Sequence, residues 1–267
     1  MFNVKPQVLK NIGKIKRYSS FYLLFPYRRA TAKNRTLPDF LIIGTQKGGT
    51  QSLLYFLGQH PQVHMPISKT KELHYFDRSP NYKKGELWYR SHFPFKDKIK
   101  PGDVVGETTP AYLRVSDAAK RIQKDLPNAK LICLLRNPTE RAISNYFMCL
   151  VKKTERFPIM DAMRTDRGLY RNRGLYLEQI KRYEKYLRNN QLLILSSEEF
   201  FANPQKILRQ VFKFLGVDER FECPDLLARN VGKNKTPVPP EVYAYLNKYF
   251  KPHNRRLYNY LNRDFGW

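Results

Sequence analysis

The feature that most restricts the fold of this chain is a glycine-rich loop between a short apolar run and an apolar helical segment. Residues 40–43 read Phe-Leu-Ile-Ile and stop at Gly44, which predicts a buried strand. The loop over residues 44–52 reads Gly-Thr-Gln-Lys-Gly-Gly-Thr-Gln-Ser, and the apolar residues after it suit a helix closed by Gly58. Such a turn exposes backbone N–H groups at the positive end of a helix dipole. It predicts a phosphate cradle, with an ordinary strand-to-helix turn as the alternative.

Short apolar runs alternate with helical patterns along the rest of the chain. Strands are predicted at residues 103–106, 130–135 and 191–195, and helices at 116–125, 139–150, 176–188 and 204–215. Strands that alternate with helices form a parallel sheet covered on both faces. The sequence therefore predicts an α/β fold, a P-loop-like arrangement of three layers in which helices flank a central parallel sheet.

The order of residues in the glycine-rich loop argues against a magnesium-dependent site. A Walker A loop places Gly-Lys directly before the Ser or Thr whose hydroxyl holds Mg²⁺. Here Lys47 precedes the pair Gly48 and Gly49, so the lysine is separated from the hydroxyl residues Thr50 and Ser52. The loop is therefore predicted to bind phosphate through its backbone and Lys47, without a metal.

A second anion-binding element is predicted where the strand at 130–135 ends. Arg136 follows this strand, and the residues after it suit the cap and first turn of a helix, with Asn137 as the cap and Glu140 completing a capping box. Ligands of open α/β sheets bind at the carboxyl ends of the strands, and the planar arginine fork matches phosphate. Ser144, further along the helix, adds a hydroxyl.

Two phosphate-binding elements on one edge of a sheet, neither with a metal ligand, predict a nucleotide with two separated phosphates. The alternative for Arg136 is a surface ion pair with Glu140 or Glu107.

The charge of the chain points to an anionic partner. Its 267 residues carry 49 Lys or Arg against 23 Asp or Glu, a formal charge of +26. Nucleic acid, a nucleotide, an anionic lipid and an acidic polysaccharide all fit this charge, and a basic surface without a specific partner is the alternative. No membrane-spanning run and no secretory signal are expected. The three cysteines lack zinc or redox spacing, and Cys133 lies in an apolar run, which favours a reducing, cytoplasmic compartment.

Residues 1–37 are predicted to form a basic arm or helix in front of one folded domain over residues 38–267. The arm holds nine Lys or Arg and no acidic residue, and apolar residues recur at helical spacing over residues 4–17. Three interpretations stay open: peripheral contact with a membrane surface through residues 1–30, a helix packed on the domain, and a frayed arm.

Several motifs carry a resemblance to one enzyme family. They include Ile-Ile-Gly-Thr-Gln-Lys-Gly-Gly-Thr at 42–50, Lys-Glu-Leu-His-Tyr-Phe at 71–76, Gly-Glu-Thr-Thr-Pro-Ala-Tyr at 106–112, Leu-Arg-Asn-Pro-Thr-Glu-Arg-Ala-Ile-Ser-Asn-Tyr at 135–146 and Arg-Asp-Phe-Gly-Trp at 263–267. In this order they resemble the signatures of sulfotransferases that use 3′-phosphoadenosine 5′-phosphosulfate (PAPS). The chain is similar to the heparan sulfate 3-O- and N-sulfotransferase domains and most of all to their bacterial counterparts.

The resemblance implies which residues hold PAPS and its product, 3′-phosphoadenosine 5′-phosphate (PAP), without a metal. The 5′-phosphosulfate would be held by the first loop, through Lys47, Gly48, Gly49, Thr50, Gln51 and Ser52. The 3′-phosphate would be held by Arg136 and Ser144. A basic loop would close over the cofactor through Lys233, Asn234 and Lys235, a loose match because the family more often has Lys-Gly-Arg there.

The resemblance also implies that Glu72 is the general base. An acceptor hydroxyl must lose its proton as it attacks sulfur in line with the departing phosphate. Lys47 would neutralise the charge that develops on that phosphate oxygen. His74 would share a face with Glu72 if the segment is extended, and would either orient the acceptor or act as a second acid–base group. The alternatives are a semi-buried structural His74 and, for Glu72, an ion pair with Lys69 or Lys71.

Two departures from the family favour the bacterial branch and a cytosolic enzyme, and the first of them argues against a heparan substrate. Heparan-type members often have a lysine where this chain has Thr108, and Cys223 has no downstream partner for the C-terminal disulfide of the Golgi enzymes. The predicted activity is sulfuryl transfer from PAPS to a hydroxyl or amine of a carbohydrate or glycolipid, anionic or lipid-linked, in the cytoplasm or at a membrane surface. A P-loop kinase and a non-catalytic basic surface binder are the alternatives, and nucleic acid is not expected as a partner.

Overall fold

Five parallel strands form the central sheet of the computed structural model, which describes residues 23–66, 72–188, 190–229 and 236–267. The strands are β1 (Phe40–Gly44), β2 (Val63–His64), β3 (Val104–Thr108), β4 (Lys130–Leu135) and β5 (Leu192–Ser196). Their order across the sheet is β2-β3-β1-β4-β5, and each neighbouring pair is parallel. The predicted fold class is confirmed, and each predicted strand is present. The strand β2 was not predicted, because a strand of two residues is too short to show an alternating pattern of apolar residues.

The strand order brings the loops after β1 and β4 together at one edge. The chain passes from β1 out to β2, returns to β3 beside β1, and then crosses to β4 on the other side of β1. A reversal of this kind leaves a crevice at the carboxyl ends of the central strands. Both predicted anion-binding elements therefore lie at the same crevice.

Helices cover both faces of the sheet. They are α1 (Phe25–Ala30), α2 (Thr50–Leu57), α3 (Ser79–Tyr82), α4 (Glu86–Arg90), α5 (Ser116–Asp125), α6 (Pro138–Val151), α7 (Ile159–Thr165), α8 (Tyr176–Glu184), α9 (Ser197–Ala202), α10 (Pro204–Leu215) and α11 (Pro240–Leu261). The predicted bounds of α5 and α10 are confirmed, and α6 is one residue longer at each end. The helix predicted at 176–188 ends at Glu184, because the chain must turn back there toward β5.

The core has an apolar layer on each face of the sheet. Along β1, Leu41 and Ile43 pack on one face while Phe40 and Ile42 pack on the other. This alternation is the two-residue period of a strand buried on both sides. Cys133 on β4 is fully buried, as predicted, and burial raises the pKa of its thiol.

The helix after Arg136 begins much as the sequence predicts. The Asn137 Oδ1 atom accepts hydrogen bonds from the backbone N–H groups of Thr139 (3.0 Å) and Glu140 (3.4 Å). The predicted capping box is wrong in its second half. The Asn137 N–H donates to Glu198 Oε1 at 2.8 Å, while the Glu140 carboxylate lies 3.7 Å from Arg136. The starts of α6 and α9 are thereby joined.

The described chain before β1 packs on the domain. Ala32 and Arg35 are buried, and Arg35 donates to the carbonyl oxygen of Phe93 at 2.9 Å. The predicted amphipathic segment over residues 4–17 lies outside the described residues. Within the described ranges, no helix combines the length and the apolar character that a bilayer-spanning helix needs.

Candidate active site

The glycine-rich loop runs from β1 into α2, and two of its positions admit only glycine. Gly49 precedes α2 with a φ of 94°. A Cβ atom on Gly48 would lie 2.8 Å from the carbonyl oxygen of Leu134, and one on Gly49 would lie 2.8 Å from the ring of Phe201. These contacts are shorter than van der Waals distances, so the backbone reaches its shape only without side chains.

The loop leaves backbone donors free at the start of α2. The N–H of Ser52 donates to the carbonyl oxygen of Gly49 at 2.9 Å, whereas the N–H groups of Lys47, Thr50 and Gln51 have no backbone acceptor in the described chain. Free donors at the positive end of a helix dipole form an anion site.

The Ser52 hydroxyl is engaged inside the protein. It accepts the backbone N–H of Arg229 at 2.9 Å and donates to the Arg229 carbonyl oxygen at 3.2 Å. The side chain is fully buried. The Ser52 side chain therefore holds Arg229 against α2 and is not available to a ligand. The backbone of Ser52 still lies in the predicted phosphate loop.

Lys47 is a half-buried cation beside this loop. Burial lowers the pKa of Lys47, and the positive charges of Arg136 and Lys152 lower it further. No acidic side chain of the described residues pairs with it. An anionic ligand would stabilise the charged form of this ammonium group, because it would offset the repulsion between the ammonium and the neighbouring cations.

Arg136 lies at the end of β4 and contacts the loop directly. Its Nη1 atom donates to the carbonyl oxygen of Lys47 at 3.0 Å, and its Nη2 atom lies 3.7 Å from Glu140. The predicted alternative of a pair with Glu140 is thus present at the edge of ion-pair distance, but a pair with Glu107 is not. Ser144 is half-buried on α6, and its hydroxyl makes no hydrogen bond with the described residues.

Arg173 is a basic residue at this crevice that the sequence analysis missed. It donates from Nη1 to Gln46 Oε1 in the loop, and the same atom lies 3.5 Å from Asn145 Oδ1 on α6. Burial lowers its pKa, and Arg114 adds to that effect. Nothing in the local sequence marks Arg173, because 127 residues separate it from Gln46.

Beneath Arg173, the guanidinium of Arg141 is fully buried. It donates from Nη2 to the carbonyl oxygen of Tyr170, and its Nε and Nη1 atoms have no partner in the described chain. Burial lowers the pKa of Arg141 to about 10, although Tyr176 opposes the shift. The crevice is therefore strongly positive from below as well as at its surface.

Glu72, His74 and Asp77 form a hydrogen-bonded chain on the β2–β3 side of the same edge. His74 Nε2 lies 3.1 Å from Glu72 Oε2, and His74 Nδ1 lies 2.9 Å from Asp77 Oδ2. Burial by itself lowers the pKa of His74, but the hydrogen bonds to Asp77 and Glu72 outweigh it and raise the pKa to about 9. At neutral pH the ring is therefore a cation between two carboxylates.

The segment that carries His74 is not extended, so that premise is wrong although the predicted proximity to Glu72 holds. His74 has a φ of 52°, in the left-handed region. Its N–H lies 3.4 Å from Thr109 Oγ1, and Asn81 Nδ2 donates to its carbonyl oxygen at 3.1 Å. A turn fixed by these contacts, rather than strand periodicity, brings the ring to Glu72.

A buried carboxylate supports this turn from below. Glu107 accepts hydrogen bonds from Tyr89 (2.8 Å), Thr109 (2.8 Å) and Tyr112 (2.7 Å). The Tyr112 hydroxyl also accepts the backbone N–H of Tyr75 at 3.2 Å. Burial raises the pKa of Glu107, while its three donors oppose that shift. Glu107 thus ties the end of β3 to the residues next to His74.

Some predicted residues lie outside the described ranges. These are Lys233, Asn234 and Lys235 of the predicted closing loop, together with Lys69 and Lys71. Their roles stay predictions.

A parallel sheet with a glycine-rich loop, a strand-end arginine and a histidine-linked carboxylate at one edge is typical of P-loop-like transferases of anionic groups. A family model described as the sulfotransferase domain matches residues 37–236. The chain belongs to that family, which confirms the resemblance seen in its sequence, and it is an enzyme that transfers sulfuryl groups.

Individual relatives agree with this assignment. The human heparan sulfate glucosamine 3-O-sulfotransferase 6 is 32% identical over 263 residues, which cover 87% of this chain and 74% of that protein. A crystal structure of a sulfotransferase from Alicyclobacillus acidocaldarius is 27% identical with a TM-score of 0.71, and the match covers 86% of this chain and 98% of that one. A mouse sulfotransferase complexed with PAP shares the fold, with a TM-score of 0.51 at 14% identity over 85% of this chain and 88% of that one.

Proposed function

We propose that the protein transfers a sulfuryl group from PAPS to a hydroxyl or amine of a carbohydrate acceptor, with Glu72 as the general base. The observation that carries this proposal is the contact between the two anion-binding elements. Arg136 Nη1 lies 3.0 Å from the carbonyl oxygen of Lys47, so the loop and the strand-end arginine line one crevice. A nucleotide with phosphates at its 5′ and 3′ positions needs two such elements side by side.

The residues present suit this nucleotide. The 5′-phosphosulfate would take the free N–H groups of the loop and the ammonium of Lys47, which lacks an acidic partner in the described chain. The 3′-phosphate would take Arg136 and the unengaged hydroxyl of Ser144. Residues 233–235 would close over it. The complex of the mouse sulfotransferase with PAP supports the capacity of this fold for such a ligand.

Glu72, His74 and Lys47 would have separate roles in the transfer. PAPS supplies the sulfuryl group: a bond forms between the acceptor oxygen or nitrogen and sulfur while the bond from sulfur to the phosphate oxygen breaks. Glu72 takes the acceptor proton on its carboxylate, and His74 holds that carboxylate in place at 3.1 Å. Lys47 stabilises the negative charge on the leaving phosphate oxygen, the task a metal performs in many phosphoryl transferases.

We infer that the acceptor is a carbohydrate, and that this protein contacts it with different side chains from those of heparan-type enzymes. Curated relatives at 30–32% identity are heparan sulfate glucosamine 3-O-sulfotransferases. Thr108 stands where many of that family have lysine; it is buried, and its hydroxyl lies 3.5 Å from the Ile42 carbonyl oxygen. It therefore cannot extend toward an acceptor at Glu72. The exposed cations Lys152 and Lys153 suit an acceptor that is anionic or lipid-linked.

We also propose a cytoplasmic protein that meets a membrane surface through residues 1–30. Leu23 is 79% exposed and Leu24 is 50% exposed, close to the basic residues Arg28 and Arg29. Exposed apolar side chains beside basic ones suit an anionic lipid surface.

Calorimetric titration with PAP in the absence of magnesium tests the cofactor. We expect one-to-one binding to the wild type and a loss of about tenfold to a hundredfold in Arg136→Ala, because a charge-assisted contact with phosphate is removed. Glu72→Gln is the matched variant: it should bind PAP as the wild type does. Absence of PAP binding together with magnesium-dependent ATP binding would contradict the proposal.

Turnover with labelled PAPS on a glycan array tests the acceptor. The wild type should label glycans, and Glu72→Gln should lose about a hundredfold or more in rate because the proton acceptor is absent. Labelling confined to small phenols or steroids would contradict a carbohydrate acceptor while leaving the cofactor assignment intact.

A further inference from the structure

A second cleft lies against the C-terminal half of α11, and none of its lining residues belongs to the glycine-rich loop. Its volume is about 470 Å³, and its walls come from α11 and from the residues that follow it up to Trp267. Small-molecule sites in proteins usually measure about 300–1,000 Å³. The cleft is therefore large enough for a ligand of more than a few atoms, and larger than a single inorganic anion requires.

Three asparagine side chains supply the polar wall of this cleft. Asn254, Asn259 and Asn262 all line it. Asn254 is only 6% exposed, and no hydrogen bond joins its side chain to the described residues, but its amide atoms still reach the solvent of the cleft. An amide placed in this way can exchange water for a ligand without breaking a contact within the protein. Amides that both donate and accept suit the hydroxyl groups of a sugar.

The cleft also carries positive charge that is not balanced. Lys251 and Arg255 lie four residues apart on α11, both exposed, and neither forms an ion pair with a described residue. Arg263 is held by Glu199, with both carboxylate oxygens at 2.8 Å. Asp264 is the acidic residue of the lining, and it accepts the backbone N–H of Gly266 at 2.8 Å. Lys251 and Arg255 are thus left for an anionic group.

Two aromatic side chains complete the walls and connect the cleft to the sheet edge. The Trp267 backbone N–H donates to the Tyr258 hydroxyl at 2.9 Å. The indole Nε1 of Trp267 donates to Glu198 Oε2 at 3.3 Å, and Glu198 Oε1 accepts the N–H of Asn137. Asn137 directly follows Arg136, so this wall is fixed beside the end of β4.

We propose that this cleft binds an acidic oligosaccharide segment, with sugar hydroxyls on the asparagines and a carboxylate or sulfate group on Lys251 and Arg255. The inference rests on the proposed function in one respect, that the acceptor is a saccharide. Arg263 of the cleft donates to the Ile194 carbonyl oxygen on β5 at 3.2 Å. Glu72 and His74 lie by the end of β3, three strand positions from β5, which corresponds to about 14 Å across the sheet. A short oligosaccharide can span that distance, so the cleft would hold the part of a long acceptor that is remote from the transfer.

The test uses Trp267 as a local reporter. The chain has two tryptophans, so Trp88→Phe leaves Trp267 alone. A heparin-derived tetrasaccharide is titrated into this variant with PAP at saturation, and the Trp267 emission is followed. Lys251→Ala/Arg255→Ala is compared with Lys120→Ala/Lys124→Ala, which removes two exposed charges at the same spacing on α5. Maltotetraose and inorganic sulfate are the neutral and simple-anion probes.

We expect a saturable emission change with the tetrasaccharide, an increase in Kd of about tenfold in the α11 variant, and less than about twofold in the α5 variant. Equal losses in the two variants, or no emission change at all, would overturn the proposal in favour of general surface charge. An equal response to maltotetraose would overturn the acidic requirement, and one to inorganic sulfate would leave only a simple anion site. PAP binding by the same samples reports on the proposed function separately.

Discussion

At the scale of single residues, His74 links the proposed base to a second carboxylate. Its contacts with Glu72 and Asp77 favour the charged ring, which is why its pKa is raised to about 9. A raised histidine pKa stabilises the folded state where the ring is charged in both states. This contribution is fully present below the ordinary value of 6.5 and is lost as the pH rises through about 9. The geometry around Glu72 should therefore still be held at neutral pH and should weaken as the pH rises toward 9.

Removal of the second carboxylate should move the titration of His74. In Asp77→Asn we expect the pKa of His74 to fall by about one unit or more, because an opposite charge at 2.9 Å is lost. NMR titration of the five histidine rings measures this without an acceptor. Asp103→Asn is the control, since Asp103 pairs with His64 at 2.7 Å outside the site. An unchanged His74 titration in Asp77→Asn would show that Asp77 does not set its charge.

At the scale of elements, α6 positions both proposed 3′-phosphate contacts. Arg136 comes immediately before the helix and Ser144 lies within it, so the start of α6 fixes their spacing. Asn137 caps that start and also donates to Glu198 at 2.8 Å, which anchors α6 to α9. The N-terminal geometry of this helix thus serves both stability and the proposed 3′-phosphate site.

The cap of α6 should be worth a measurable part of the stability. Asn137→Ala removes an acceptor from two backbone N–H groups, and we expect unfolding free energy to fall by about 1 kcal/mol. Urea denaturation measures the change. Asn137→Asp keeps an oxygen that can cap the helix and should stay close to the wild type. Equal stability of the alanine and aspartate variants would mean that the cap contributes nothing.

At the scale of the whole molecule, the charge of +26 must repel itself in the folded state. Basic residues gather at the crevice, where the charge of Arg136 disfavours the charged forms of Lys47 and Arg141, and the charge of Arg114 disfavours that of Arg173. An anionic ligand would relieve this repulsion, and so would dissolved salt.

The protein should therefore become more stable as salt increases. Between about 20 mM and 200 mM sodium chloride the Debye length falls from about 20 Å to about 7 Å, so repulsion between separated cations is screened. We expect a higher urea midpoint at the higher salt concentration. Chloride is chosen because sulfate would also bind at the proposed anion site. A lower midpoint at high salt would indicate that attractive ion pairs dominate the surface instead.

Local patterns in the sequence account for the features it predicts well. Apolar runs of strand length predicted β1 and β4, glycine positions predicted the loop, and Asn137 predicted the start of α6. Each depends on residues within a few positions of each other, so spacing and residue type suffice. The family resemblance added Glu72, whose carboxylate alone fits an ion pair equally well.

The sequence by itself determined the α/β class, the glycine-rich loop between a strand and a helix, and the strand-end arginine, because period and capping act over short distances. Only the tertiary structure decided that Arg173 reaches Gln46, that Glu107 braces the turn at His74, and that Ser52 holds Arg229. The cleft beside Trp267 is also a product of the tertiary structure, because it forms between a helix and the segment that folds back against it. The reason is physical: these contacts join residues far apart in the chain, and their energy exists only once the sheet has brought its loops together.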